Sequence, residues 1–166
     1  MLLKYVVLSL MFVSNCFASD NYTDTFFVDG GLGIFSTEGH SLSQTKFLKI
    51  GVQEDLWYAL KQRFDGGFWL DTRGDGRTSS GFMGYQLGFE VKNDLFVGSI
   101  WSGPALISSP DIALGGIVQF NETIFFGIVD KSGDNIGIAY NHFSSAGLEM
   151  PNLGKDFIGL EIRFPY

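Results

Sequence analysis

Apolar residues alternate with polar or small ones from about residue 25 to the end of the chain, and no stretch carries an apolar stripe at helical spacing. A period of two is the side-chain period of a β-strand with one face in an apolar environment. In GFMGYQLGFEVK (81–92), Met83, Tyr85, Leu87, Phe89 and Val91 share one face, with Gln86, Glu90 and Lys92 on the other. The pattern predicts strands over 25–36, 45–53, 57–71, 81–92, 95–102, 112–130, 134–144 and 156–165. The sixth could instead be a hairpin turning at Asn121-Glu122-Thr123, which lacks the glycine or favourable dipeptide of tight hairpins. Val118, Phe120, Ile124, Phe126 and Ile128 keep phase through it, so one long strand is expected and eight in all.

The connections sharpen the fold class. TEGHSLSQ, TRGDGRTSS, SGPALISSPD and SAGLEMPNLGK are long, while QEDL, ND and DKSGD between them are short. Strict long–short alternation is the habit of an outer-membrane barrel with extended outer loops and tight periplasmic turns. The C-terminal IGLEIRFPY alternates up to an aromatic residue, as closing strands of bacterial barrels do. The expected fold is all-β, an eight-stranded antiparallel transmembrane β-barrel. Its interior is just wide enough to be filled by side chains, so it is not a porin.

Composition adds compartment and partner class. Residues 1–18 read as a signal peptide: Lys4, the apolar YVVLSLMFV, and CFA before Ser19. The apolar stretch is too short for a membrane helix, which needs roughly 20 residues. A lipoprotein reading of Cys16 is disfavoured by the bulky Asn15 before it. Cleavage after Ala18 leaves 19–166 as the barrel domain, without a cysteine and with 10 basic against 18 acidic residues, a net charge of −8. That balance argues against nucleic acid as a partner. It leaves room for a homodimer. Trp57, Trp69 and Trp101 lie near predicted strand ends, which suits an interfacial aromatic girdle.

Candidate chemistry concentrates in YNHFSSAGLEMPNLGKD (140–156). His142 and Ser144 are two residues apart on the seventh strand, and Asp156 opens the eighth. With both chain termini on the periplasmic side, 145–155 is an outer loop and the three residues lie near the outer rim. They share parity with Ile136, Ile138, Tyr140, Ile158, Leu160, Ile162 and Phe164, so all three are expected to point outward, toward lipid. Strand positions i and i+2 are roughly 6.5–7 Å apart, close enough for the side chains to meet. An imidazole can activate a serine, and a carboxylate can orient the imidazole. Rim His and Ser residues that merely meet water are the competing reading of the spacing.

AYNHFSSAGLEMPNLGKD followed by a terminal strand resembles the signature of the outer-membrane lipid A 3-O-deacylases: His-x-Ser, Ala-Gly, Pro-Asn, Gly, and an acid fourteen residues past the histidine. The resemblance implies an eight-stranded barrel whose outward triad removes the 3-linked hydroxyacyl chain from lipid A of lipopolysaccharide at the outer membrane, with no metal or other cofactor. By position, Ser144 is then the nucleophile, His142 the general base and Asp156 the orienting acid. Two residues depart from the pattern. Asp156 stands where the family usually has Glu, and Ser145 where it has the Asn that helps hold the oxyanion. The Ser145 hydroxyl and the Gly147 backbone N–H are the substitutes expected to hold the oxyanion, and Glu149 is an alternative acid. A non-catalytic barrel with an adhesin, structural or surface-modifying role, and a soluble barrel with an apolar ligand inside, remain as competing readings. GDGRTSSG (74–81) matches neither a phosphate loop nor a calcium loop. Asp71, Arg73, Asp75 and Arg77 are expected at a solvated tip, and His40 in solvent.

Overall fold

The computed structural model describes residues 24–35, 45–57, 59–71, 79–110, 114–148, 150 and 153–166. The expected signal peptide, His40, Arg73, Asp75, Arg77 and Glu149 lie outside the described residues. Eight strands occur among the described residues: β1 (Thr25–Phe35), β2 (Thr45–Trp57), β3 (Leu60–Asp71), β4 (Ser80–Lys92), β5 (Phe96–Ile107), β6 (Val118–Val129), β7 (Asn135–Ser144) and β8 (Lys155–Pro165). Each pairs antiparallel with its neighbours in chain order, and β1 pairs with β8 to close the barrel. Closure leaves no sheet edge, which a bilayer would not tolerate. Long connections gather at the rim holding the ends of β1, β3, β5 and β7, and short turns at the other. In one short turn the Asn93 carboxamide oxygen accepts from the N–H groups of Leu95 and Phe96 at 2.9 and 2.8 Å.

The sixth strand is a single one, as its unbroken phase predicts. Three expected boundaries move, the first being the start of the sixth strand, which lies at Val118 instead of 112. β5 runs on to Ile107 through Gly103-Pro104, a dipeptide that reads as a stop. Pro104 pairs with Phe120 on β6, while the β4–β5 pairing skips Gly103 and Pro104, so the missing N–H falls on the side where the ladder lapses. Trp57 ends β2 instead of opening β3.

Parity sorts the side chains cleanly. Leu48, Ile50, Phe64, Met83, Phe89, Ile100, Ile124, Phe126, Ile138 and Leu160 are all exposed on the outer wall. An apolar band of that breadth is matched to lipid rather than to water. The inner face is mostly polar, and its described side chains are buried. Glu161 accepts from the Arg163 Nε at 2.6 Å and is bonded by both terminal nitrogens of Arg63. Arg163 also donates to Glu90 at 2.6 Å and stacks its guanidinium 3.6 Å from the Phe125 ring centre. Lys49, Asn141 and Asp29 form a second buried chain. Among the described residues, an interior this rich in buried charge does not suit an apolar ligand.

Toward the long-loop rim the interior turns aromatic. Phe47, Trp69, Phe82, Phe143 and Phe157 are buried together, with Phe47–Phe157 and Phe82–Phe143 ring centres 4.6 and 4.9 Å apart. The expected tryptophan girdle is corrected here. Trp69 and Trp101 are 0% and 3% exposed and sit inside the barrel, where Trp101 donates to Ser99 Oγ, while Trp57 is exposed on the outside. Their parity explains it, since Trp69 alternates in phase with Arg63 and Asp65.

Candidate active site

β7 and β8 present His142, Ser144 and Asp156 on the outer wall near the long-loop rim. The alternation along β7 buries Asn135, Ala139, Asn141 and Phe143 and turns Ile136, Ile138, Tyr140, His142 and Ser144 outward. On β8, Phe157 is buried while Asp156 and Ile158 face out. Phe143 and Phe157, inside the aromatic plug, therefore anchor the wall directly behind the polar group.

His142 and Asp156 are direct cross-strand partners. The His142 Nδ1 lies 2.7 Å from the Asp156 Oδ1, and both side chains are partly exposed, at 28% and 18%. The Tyr140 hydroxyl donates to the same Oδ1 at 2.5 Å. The imidazole edge that carries Cε1 and Nε2 rests against Gly154. A Cβ added there would come within 2.7 Å of Cε1 and 3.5 Å of Nε2, and the Gly154 φ of 75° is itself unfavourable for other residues. Gly154 directly precedes Lys155, the residue of β8 that pairs with Phe143. The Cε1–Nε2 edge thus lies against the chain where it enters β8. On its other flank, His142 faces the exposed Glu122 of β6 in register.

The turn after Ser144 is built on two successive residues with positive φ, Ala146 at 52° and Gly147 at 80°. The Leu148 N–H donates to the Ser145 carbonyl at 3.0 Å, closing a turn of the mirror-image type. The Ala146 conformation is uncommon for a residue with a side chain. Gly147 is exposed, with open space around it. Ser145, the first residue after β7, is 0% exposed. Sequence reading brought His142, Asp156 and Ser144 to one face, and the structure places them there. It missed Tyr140, Gly154 and Glu122. Tyr140 and Glu122 were legible as outward neighbours of His142, one two residues earlier and one on the adjoining strand. Among the described residues, no three His, Cys, Asp or Glu side chains gather as a metal site needs.

A closed eight-stranded barrel with a lipid-matched outer wall is a membrane barrel of the outer-membrane type, and this one carries Ser, His and Asp on that wall. The family model described as lipid A 3-O-deacylase (PagL) matches residues 37–165, and the chain belongs to that family. Lipid A deacylase PagL of Bordetella bronchiseptica is 33% identical over 67 residues. That stretch is 39% of this chain and 38% of the relative, so the match spans well under half of either protein. The crystal structure of the outer membrane enzyme PagL aligns with a TM-score of 0.60 at 21% identity, covering 86% of this chain and 99% of that one. At that identity the likeness speaks for the barrel fold.

Proposed function

We propose that this barrel is an outer-membrane esterase that hydrolyses the 3-O-linked hydroxyacyl chain of lipid A, using Ser144, His142 and Asp156. The observation that carries the reading is the 2.7 Å contact of His142 Nδ1 with Asp156 Oδ1, on the lipid-facing wall that also bears Ser144. With Nδ1 committed to the acid, Nε2 is the nitrogen left to take the serine proton. Ser144 Oγ attacks the ester carbonyl while Nε2 accepts its proton. The tetrahedral oxyanion needs a donor, and the exposed Gly147 N–H at the turn is the better candidate now that the Ser145 side chain is buried. Collapse expels the sugar 3-hydroxyl, which takes the proton back from His142. Water then attacks the acyl-serine with His142 again as base, releasing a 3-hydroxy fatty acid and restoring the serine.

Family membership, the lipid-matched wall and the long-loop rim support a site held at the outer leaflet. All three residues come from β7 and β8 of one chain, so the chemistry does not require a homodimer. A non-catalytic barrel is the second reading, favoured by the burial of Ser145 where the family carries an oxyanion-binding asparagine. Mass spectrometry of lipid A incubated with the refolded protein and with Ser144→Ala separates the two. Loss of one hydroxyacyl chain only with the native serine supports the esterase, and no change with either supports the second reading.

A further inference from the structure

Tyr140 stands outside the serine–histidine–acid set, yet its hydroxyl ends on the same carboxylate oxygen as the imidazole. Tyr140 Oη donates to Asp156 Oδ1 at 2.5 Å, and His142 Nδ1 is 2.7 Å from that atom. The geometry follows from the ladder. Asp156 faces His142 across the β7–β8 pair, and Tyr140, two residues earlier on the same face, meets it on the diagonal. Diagonal neighbours are within reach of a long aromatic side chain.

We propose that Tyr140 is a positioning residue for the esterase reaction, holding the short carboxylate of Asp156 in the orientation that meets His142. The inference rests on the esterase reading above. A single bond to the imidazole leaves the carboxylate able to turn about it, and a site loose by a fraction of an ångström loses rate. A second donor on Oδ1 restricts that rotation. A phenol suits the place better than a lysine or arginine would. A cation beside Asp156 would offset the negative charge that must stabilise the imidazolium, whereas a neutral hydroxyl leaves it. The ring also belongs on this wall, between the outward-facing Ile124 of β6 and Ile158 of β8 in register.

The test compares wild type, Tyr140→Phe, Asp156→Glu, the double variant and Ser144→Ala, each as the complete refolded barrel in one detergent. Two quantities are read: kcat and KM for 3-hydroxyacyl release from lipid A, and the rate of covalent labelling of Ser144 by a fluorophosphonate. Tyr140→Phe is expected to lower kcat and the labelling rate roughly 10-fold, the usual scale for losing a group that orients a functional residue. KM should stay within about 2-fold, because an orienting bond does not bind substrate. In the Asp156→Glu background the same substitution should cost less than about 3-fold, since the longer acid reaches Nδ1 with less help. An inactive Asp156→Glu would leave the decision to the kcat of Tyr140→Phe. Tyr140→Phe at or above the wild-type rate, or equal losses in both backgrounds, overturns the positioning role. Wild type no more reactive than Ser144→Ala in both assays overturns the esterase reading itself, and Tyr140 with it.

Discussion

His142 of β7 and Asp156 of β8 face each other across one antiparallel pair, Nδ1 to Oδ1 at 2.7 Å, and their inward neighbours Phe143 and Phe157 both enter the aromatic plug. The contact is therefore set by strand register and held by packing on the far side of the wall. Asp156→Asn keeps the shape but removes the charge and can favour the wrong imidazole tautomer. A fall in kcat on the order of 10³–10⁴ is expected, with the barrel intact. Initial rates of 3-hydroxyacyl release check it. A neutral Asp156→Asn beside an inactive Glu149→Gln would move the acid role to Glu149.

Gly154 should tolerate no side chain. Its φ of 75° and the 2.7 Å approach to His142 Cε1 mean that Gly154→Ala must displace the imidazole or the start of β8. The left-handed conformation alone costs about 1–2 kcal/mol with a Cβ present. The loss should appear mainly in kcat, at least roughly 10-fold, because the ring moves while the lipid-facing wall remains. A normal kcat in Gly154→Ala would show that the ring does not depend on this contact.

Ser145 offers the opposite expectation. With the exposed Gly147 N–H as the oxyanion donor and Ser145 fully buried, Ser145→Ala should leave kcat within about 3-fold of wild type, whereas losing an oxyanion donor costs about 10²–10³. A drop of the larger size would return the oxyanion role to the Ser145 hydroxyl.

Much of this was legible in the alternation. Parity alone gave eight strands, one continuous β6, and the outward direction of His142, Ser144 and Asp156, because a closed barrel has only two sides to which a side chain can turn. The same rule places Trp69 and Trp101 inside, and reading them by their nearness to strand ends instead gave the wrong side. Pro104 hid the last part of β5, since its missing donor interrupts only the pairing with β4 while the pairing with β6 runs on through it. Gly154 was legible as a glycine but not as the surface against which the imidazole lies. That contact depends on how the chain enters β8.

The interior makes a stability prediction independent of the site. Glu161 is fully buried and bonded to both Arg63 and Arg163. Glu161→Gln leaves two buried guanidinium groups short of one charge, and breaking such an arrangement costs about 3–5 kcal/mol. The shift should show as earlier urea unfolding of the barrel in micelles, with the activity of still-folded protein unchanged because the site lies on the other side of the wall.

In the proposed reaction Ser144 cleaves a lipid ester from the outer wall. Its most direct measurement is the mass spectrum of lipid A after incubation with equal amounts of refolded wild-type and Ser144→Ala barrels. The account predicts that wild type removes one 3-hydroxyacyl chain and that Ser144→Ala removes none while keeping the heat-modifiable mobility of a folded barrel. Cleavage by Ser144→Ala at the wild-type rate would contradict it.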